Sequence, residues 1–155
     1  MKQTKVLSFI NKSPNKDPEY ALKGDSGFDL RAWINNEDGK ISLKPFERKL
    51  IPTGLYFNMP DGTEIQVRPR SGMTLQRGLT VLNSPATIDE NYTGEVGIIA
   101  INLSQNTIDI ENGDKIAQAV LCPVYGSRQT SLVKIETIKK RTERGDNGYG
   151  HTGYK

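Results

Sequence analysis

Residues 64–68 read EIQVR, and this strict alternation of polar and apolar side chains is typical of a β-strand with one buried face. Ile65 and Val67 fall on one side of such a strand, while the two charged residues and the glutamine fall on the other. A period of two, rather than the 3.6 residues of an amphipathic helix, dominates the whole chain. The sequence therefore predicts an all-β fold.

Other apolar runs predict further strands, and turn signals such as Asp-Gly and Asn-Gly separate them. These runs are 6–10, 28–34, 41–43, 48–57, 79–82, 95–103, 107–110, 116–124 and 132–136. Many short strands at such spacing favour an antiparallel sandwich or barrel. Only residues 71–76 predict a helix, which Arg77 and Gly78 would end.

The composition is that of a single soluble globular domain: 155 residues, 35% hydrophobic and 25% charged. The net charge of +3 is small and no long run of like charge occurs, so nothing in it indicates nucleic-acid binding. No apolar stretch approaches the about 18 residues of a membrane span, and residues 1–14 do not resemble a signal peptide. The single cysteine, Cys122, fits a reducing compartment. We therefore expect a cytoplasmic protein that binds neither nucleic acid nor membranes.

Residues 83–94, NSPATIDENYTG, place an amide, two carboxylates and an aromatic ring between two predicted strands. Asparagine, serine, proline and glycine favour turns, so the segment is predicted to be a loop or hairpin. Loops held by a rigid scaffold often carry binding and catalytic groups. These residues alone leave a second interpretation open, in which Asp89 and Asn83 only bond to their own backbone in solvated turns.

Three more blocks combine polar groups with turn residues. GDSGFDL at 24–30 places two carboxylates beside a glycine turn, and RPRSG at 68–72 places arginines where the helix begins, which favours anions. GDKIAQ at 113–118 leads into a strand with one polar side chain, Gln118, among apolar neighbours. Each block also has a plain structural interpretation: a solvated turn, a helix start with surface arginines, or an edge-strand glutamine.

The last block, RGDNGYGHTG at 144–153, holds four glycines and no aliphatic residue. Because it cannot build a packed core, it is predicted to be flexible, and a frayed terminus is one interpretation. The other is a binding role, since Arg144, the glycine amides and the Thr152 hydroxyl suit phosphates and Tyr149 suits stacking on a base.

In this order and spacing, the blocks resemble the five motifs of the homotrimeric dUTP diphosphatase (dUTPase) family. The matching segments are 21–32, 68–73, 78–96, 113–118 and 144–153. Residues 43–55 also look like the family, so the resemblance covers nearly the whole chain. It implies a jelly roll or distorted β-barrel of short antiparallel strands, with one short helix and a flexible C-terminal tail. Residues 1–143 would form the β-barrel domain, and 144–155 a glycine-rich lid over the active site.

The resemblance implies an enzyme that hydrolyses dUTP to dUMP and diphosphate by attack of water on the α-phosphate. Such an activity keeps uracil out of DNA and supplies dUMP for thymidylate synthesis. A homotrimer with active sites at the subunit interfaces is also implied. Mg²⁺ would be held by the substrate phosphates with no direct protein ligand, and Asp29 would support the ion through bound water.

Site residues carry over from the family position by position. Asp89 matches the carboxylate that deprotonates the attacking water, and Asp29 is the second predicted catalytic residue. Tyr92 matches the aromatic residue that packs under deoxyribose and leaves no room for a 2′-hydroxyl. The other substrate-binding residues fall into a uracil-reading group (Asn83, Thr87, Ile88, Gly97), a phosphate group (Arg70, Ser71, Gly72, Gln118) and a tail group (Arg144, Tyr149, His151, Thr152).

Ala86, Asn91 and Asn147 depart from the usual family pattern, and Ala86 would be strained if it had a positive φ. Two alternatives come from related proteins. A dCTP deaminase of similar fold needs a glutamate near the position of Ile99, and Glu95 is offset from it. A regulatory dUTPase-like trimer that binds a partner protein stays open, because such a role can coexist with catalysis.

Overall fold

The computed structural model describes residues 4–139 and 142–148. Within these ranges it contains eleven short strands and one helix. They are β1 (Ser8–Asn11), β2 (Phe28–Arg31), β3 (Lys40–Leu43), β4 (Arg48–Pro52), β5 (Leu55–Asn58), β6 (Thr63–Arg68), α1 (Ser71–Arg77), β7 (Leu79–Val81), β8 (Ala86–Ile88), β9 (Gly97–Asn102), β10 (Ile108–Glu111) and β11 (Lys115–Pro123). The predicted all-β class with one short helix is confirmed.

The strands form four antiparallel sheets, which do not close into a single barrel in the described ranges. The largest sheet has the order β2-β11-β6-β8, and the others are β4-β9-β7, β1-β5 and β3-β10. The alternation that predicted β6 is confirmed, because Ile65 and Val67 are 0% and 1% exposed. Across residues 4–139 and 142–148, no helix has the length and apolar character needed to span a membrane.

The hydrophobic core draws on all four sheets. Its buried members include Leu30 of the largest sheet, Ile51 of β4, Leu55 of β5 and Ile110 of β10. Burying a large aliphatic side chain stabilises the fold by about 1.5–3 kcal/mol. This shared core holds the four sheets, and therefore the loops that join them, in a fixed arrangement.

The helix prediction is confirmed, with one further residue at its C-terminal end. Gly78 caps α1 in the left-handed conformation, with a φ of 71°, and its N–H donates to Thr74 O at 3.0 Å. A side chain at Gly78 would also lie 2.9 Å from the backbone of Ser104. Glycine is therefore required where the chain turns from α1 into β7.

Two strand predictions need correction, and one strand was not predicted. Residues 48–57 form β4 and β5 rather than one strand, because Gly54 has a φ of 72° and interrupts the pairing. Residues 132–136 form no strand; they are exposed and lie outside every sheet described. The unpredicted strand is β8, a three-residue strand paired with β6 inside the segment 83–94 that was predicted to be a loop or hairpin.

Candidate active site

A single cavity of about 540 Å³, which we call the hairpin cavity, is lined by the predicted uracil-reading residues, the predicted general base Asp89 and the ring of Tyr92. Its lining is Leu50, Pro52, Asn83, Ala86, Thr87, Ile88, Asp89, Tyr92, Glu95, Gly97 and Ile99. Strand β8 forms one side of it and lies at the edge of the largest sheet. Because β8 pairs only with β6 in the described structure, its outer N–H and C=O groups have no strand partner.

Tyr92 is held in a fixed orientation at this cavity. Its hydroxyl donates to Glu95 O at 2.9 Å, and its N–H donates to Asp89 O at 3.0 Å. A Cβ on Gly94 would lie 2.5 Å from the Tyr92 hydroxyl, so only glycine leaves room for the ring. The ring remains 45% exposed and can serve as a packing surface for a ligand.

Two further positions shape the cavity wall. A Cβ on Gly97 would lie 2.7 Å from Leu50 Cδ1, so this glycine lets the apolar wall approach the backbone. Ala86 lies in β8 and is not among the described residues with positive φ. The substitution at Ala86 therefore causes no left-handed strain.

Glu95 lines the cavity, but its carboxylate has a structural role. Oε1 accepts hydrogen bonds from the N–H groups of Thr53 at 3.1 Å and Gly54 at 2.8 Å. These bonds satisfy the backbone where β4 gives way to β5. Glu95 is therefore committed to the β4–β5 turn, and the position proposed for a deaminase glutamate is occupied by the aliphatic Ile99.

The predicted phosphate-binding residues line a second cavity of about 350 Å³, which we call the arginine cavity. The predicted members there are Asp29, Arg70, Ser71, Gly72 and Gln118. Register brings Asp29 of β2 directly opposite Gln118 of β11. Gln118 Nε2 in turn donates to Pro69 O at 2.8 Å, which ties β11 to the segment leading into α1.

Asp29 forms two ion pairs in the arginine cavity. Its Oδ1 is 2.8 Å from Arg70 Nε, and its Oδ2 is 2.7 Å from Lys115 Nζ. Arg70 also donates to Lys115 O at 3.0 Å, so the guanidinium is oriented from two sides. Lys115 was missed as a site residue; its position in the GDKIAQ block was the signal that pointed to it.

The carboxylate of Asp29 fits support of a cation through water better than direct ligation. Each oxygen already has a cationic partner, yet each retains a lone pair that can accept a hydrogen bond from a metal-bound water. In the described ranges no cluster of three or more acidic, histidine or cysteine side chains could hold a metal ion. A magnesium ion here would have to take most of its ligands from the substrate and water.

The two cavities lie on opposite edges of the largest sheet. Asp29 of β2 pairs with Gln118 of β11, which in turn pairs with Arg68 of β6. At the other edge, Ile88 of β8 pairs with Ile65 of β6, and Asp89 is the next residue after Ile88. Three strand spacings of about 4.8 Å and about four residues along the strands separate the two carboxylates by roughly 19 Å. One chain therefore does not bring Asp89 and Arg70 into a single cavity.

The structure describes the C-terminal block only in part. Arg144 lies in a turn, where its Nε donates to Asn147 O at 3.0 Å, and it lines neither of the two cavities. Asn147 is not among the described residues with positive φ, so this departure from the family pattern is not strained. Tyr149, His151 and Thr152 lie outside the described residues.

Comparison with known sequences gives one family over almost the whole chain. The family described as dUTPase matches residues 13–153. A deoxyuridine 5′-triphosphate nucleotidohydrolase of Finegoldia magna is 45% identical over 148 residues, which span 96% of this chain and 99% of that protein.

Two solved structures of similar fold come from phages. A dUTPase of Staphylococcus bacteriophage 80alpha, solved with dUPNHPP, has a TM-score of 0.84 and 25% identity, covering 97% of this chain and 99% of the other. A mutant dUTPase from S. aureus phage phi11, described with a structural Mg(II) ion, has a TM-score of 0.75 and 23% identity, covering 87% and 99%. The second likeness supports the fold alone.

Proposed function

Because this chain belongs to the dUTPase family, we propose that it hydrolyses dUTP to dUMP and diphosphate. The observation that carries the proposal is the hairpin cavity, which gathers Asp89, Tyr92 and the uracil-reading residues around one space. Its volume of about 540 Å³ lies within the usual range of small-molecule sites. This activity removes a precursor of uracil in DNA and supplies dUMP for thymidylate synthesis.

Asp89 acts as the general base in this mechanism. It accepts a proton from a water molecule whose oxygen forms a bond to the α-phosphorus. The bond from the α-phosphorus to the bridging oxygen of the β-phosphate breaks, and diphosphate leaves with that oxygen. A positioned general base contributes on the order of 10²- to 10⁴-fold to the rate.

The hairpin backbone accounts for the selection of uracil over other nucleobases. The outer N–H and C=O groups of β8 lie at fixed positions, and Asn83 adds an amide beside them. A rigid row of donors and acceptors can match the edge of uracil and leave unpaired groups against cytosine. Thr87 and Ile88 lie on β8, and Gly97 of β9 lines the same cavity.

Tyr92 accounts for the choice of sugar. Its hydroxyl bond to Glu95 O and its contact with Gly94 prevent the ring from moving away from a bound ligand. A deoxyribose can pack on the ring, whereas a 2′-hydroxyl would meet an apolar surface at close range. Burying such a hydroxyl without a partner is unfavourable.

The arginine cavity accounts for phosphate binding. Arg70 is the central group, with Ser71, Gly72 and Gln118 around it, and Asp29 orients the guanidinium at 2.8 Å. Charge develops on the departing diphosphate, and preoriented cations stabilise that charge. Mg²⁺ bound to the triphosphate would neutralise part of the same charge, with Asp29 supporting the ion through water.

We further propose that the enzyme is a homotrimer in which each active site combines the hairpin cavity of one subunit with the arginine cavity of a neighbour. The separation of roughly 19 Å between Asp89 and Asp29 in one chain supports this arrangement. Exposed apolar side chains at the hairpin cavity, including Leu50 at 67% and Ile99 at 37%, support burial against another subunit. Residues 144–155 would then close as a lid over the completed site.

Product analysis with dUTP, dCTP and UTP tests the proposed function. We expect dUMP and diphosphate from dUTP, and little turnover of the other two nucleotides. Asp89→Ala should abolish turnover while dUTP still binds, and a chain ending at Glu143 should fold but turn over far more slowly. Release of ammonia from dCTP would instead support the deaminase, and full activity of the truncated chain would rule out the lid.

A further inference from the structure

Asp89 lies between the hairpin cavity and a third space of about 550 Å³ on the other side of the same turn. This third space is bordered by residues 62–64, 89–91 and 124–129. The segment 124–129 follows β11 and has no part in the groups assigned to substrate above. The turn that carries the predicted general base therefore faces, across this space, a segment far along the chain.

The position of the Asp89 carboxylate depends on its backbone. The side chain is exposed, and no hydrogen bond to it occurs across residues 4–139 and 142–148. On its N-terminal side, Ile88 is fixed by pairing with Ile65. Sheet pairing ends there; on the C-terminal side Tyr92 N–H donates to Asp89 O at 3.0 Å, and the next residue adds a contact to a distant part of the chain.

Glu90 supplies that contact. Its Oε2 accepts a hydrogen bond from Gly62 N–H at 2.6 Å, and its Oε1 accepts one from Arg128 Nε. The Glu90 side chain is only 23% exposed, although it carries a charge. The hydrogen bond from Arg128 lowers the pKa of Glu90 most, and the bond from Gly62 N–H lowers it further. The carboxylate is therefore ionised at neutral pH.

Arg128 is itself held by a closed turn. The N–H groups of Gln129 and Thr130 both donate to Gly126 O, at 2.9 and 3.0 Å. Asp61 lies 3.9 Å from the guanidinium and adds a second, weaker attraction. The pair therefore joins two turns, 59–62 and 126–130, to the residue immediately after Asp89.

We propose that Glu90 and Arg128 form a latch that positions Asp89 for proton abstraction from the attacking water. This proposal rests on the proposed function, and it makes both latch residues positioning residues that do not touch the substrate. Catalytic efficiency is sensitive to small displacements of a reacting group, whereas an exposed ion pair adds little to global stability. The latch should therefore affect turnover more than folding or substrate binding.

Steady-state kinetics of Glu90→Ala, Arg128→Ala and the double variant test the latch. Each single variant should lose about tenfold in kcat with the KM for dUTP changed by less than about twofold. The double variant should be no slower than the slower single variant, because both substitutions remove the contact between Glu90 and Arg128. Glu90→Gln keeps one acceptor oxygen, which can serve either Gly62 N–H or Arg128 but not both, so it should restore only part of the turnover.

The control is Lys40→Ala, which breaks an ion pair between β3 and β10, away from both cavities, whose side chains are 46% and 42% exposed against 60% and 23% for Arg128 and Glu90. The latch variants should have thermal midpoints no lower than that control. Hydrogen exchange gives a readout independent of activity: amides of residues 89–94 should exchange faster in Glu90→Ala, while those of β9 stay protected.

Wild-type kcat in the latch variants, or unchanged exchange in residues 89–94, would overturn the latch. A loss of kcat that tracks a loss of thermal stability would also overturn it, because that result indicates a structural role. Failure of the wild-type protein to form dUMP would contradict the proposed function instead, and the exchange experiment would still test the contact.

Discussion

Phe46 is the one non-glycine residue with positive φ in the described ranges, at 61°, and its side chain is 70% exposed. The left-handed conformation costs an L-residue roughly 1–2 kcal/mol. Phe46 N–H donates to Asn102 O at 2.7 Å, and Glu47 N–H donates to Lys44 O at 2.9 Å, so the turn enforces this conformation. The ring has little packing within the chain to offset the strain.

We therefore expect Phe46→Gly to stabilise the chain. Relief of the left-handed strain outweighs the added flexibility of glycine in the unfolded state, so the free energy of unfolding should rise by about 0.5–1 kcal/mol. Urea denaturation measures the change. Leu75→Gly, at an exposed position with ordinary helical φ, is the control and should be destabilising. Loss of stability in Phe46→Gly would contradict the expected relief of strain.

At the scale of elements, the two-stranded sheet of β3 and β10 is joined by a charged cross-strand contact. Asp109 on β10 accepts from Lys40 Nζ at 2.8 Å and from the Ser42 hydroxyl, both on β3. Lys40 and then Ser42 lower the pKa of Asp109 below its ordinary value of 3.8. The stabilisation from this carboxylate is therefore fully present at pH values above 3.8, the ordinary pKa, and it is lost as pH falls through the folded-state pKa.

Asp109→Asn should lower the urea midpoint of unfolding at about pH 7, and the difference from wild type should shrink by about pH 3. The reason is that the unfolded chain takes up a proton at Asp109 below about pH 3.8 while the folded carboxylate resists protonation, so the stabilisation declines as pH falls toward the folded-state pKa. Lys40→Met removes the other partner and should show the same narrowing. A difference that is constant across this pH range would mean that the charge of Asp109 does not stabilise the sheet.

Element prediction succeeded where local pattern and burial agree, as in EIQVR, whose alternation matches the buried face of β6. It failed at Gly54, because the break between β4 and β5 depends on Ser13 lying where a Cβ would project. It also failed at residues 132–136, where apolar composition is not matched by a pairing partner in the described chain. Local sequence does not contain these long-range constraints.

The residues of the candidate site also fall into those that local sequence indicates and those that depend on long-range contacts. Asp89, Arg70 and Gln118 could be predicted because they occur in ordered motifs whose residue types indicate their chemistry. Lys115 and Arg128 could not, because their roles depend on contacts with residues 86 and 38 positions away. Pairing across the sheet brings the first contact together, and the turn after β11 brings the second.

At the scale of the whole molecule, the order β2-β11-β6-β8 places the phosphate and uracil halves of the proposed site at opposite edges. Asp89→Ala and Arg70→Ala should therefore each be inactive alone but regain activity when unfolded together and reassembled. In a trimer whose sites each combine two subunits, random assortment of equal amounts yields about one quarter of the sites with both intact residues. Activity per subunit after mixing measures this fraction.

The control replaces one partner with the Asp89→Ala/Arg70→Ala double variant. Mixtures of either single variant with it contain no intact pair and should stay inactive. Inactivity of the two mixed single variants, in assemblies shown by mass to be hybrid trimers, would mean that each site is built within one chain.

The placement of Asp89 and Arg70 on opposite sheet edges also has a genetic meaning. Two alleles of this one gene, one defective in Asp89 and the other in Arg70, would fall into different complementation groups when expressed in the same cell. Two alleles defective in the same half-site would not. In the proposed trimer, the order of four strands would thus determine which recessive mutations can compensate for each other, although every subunit they encode has the same fold.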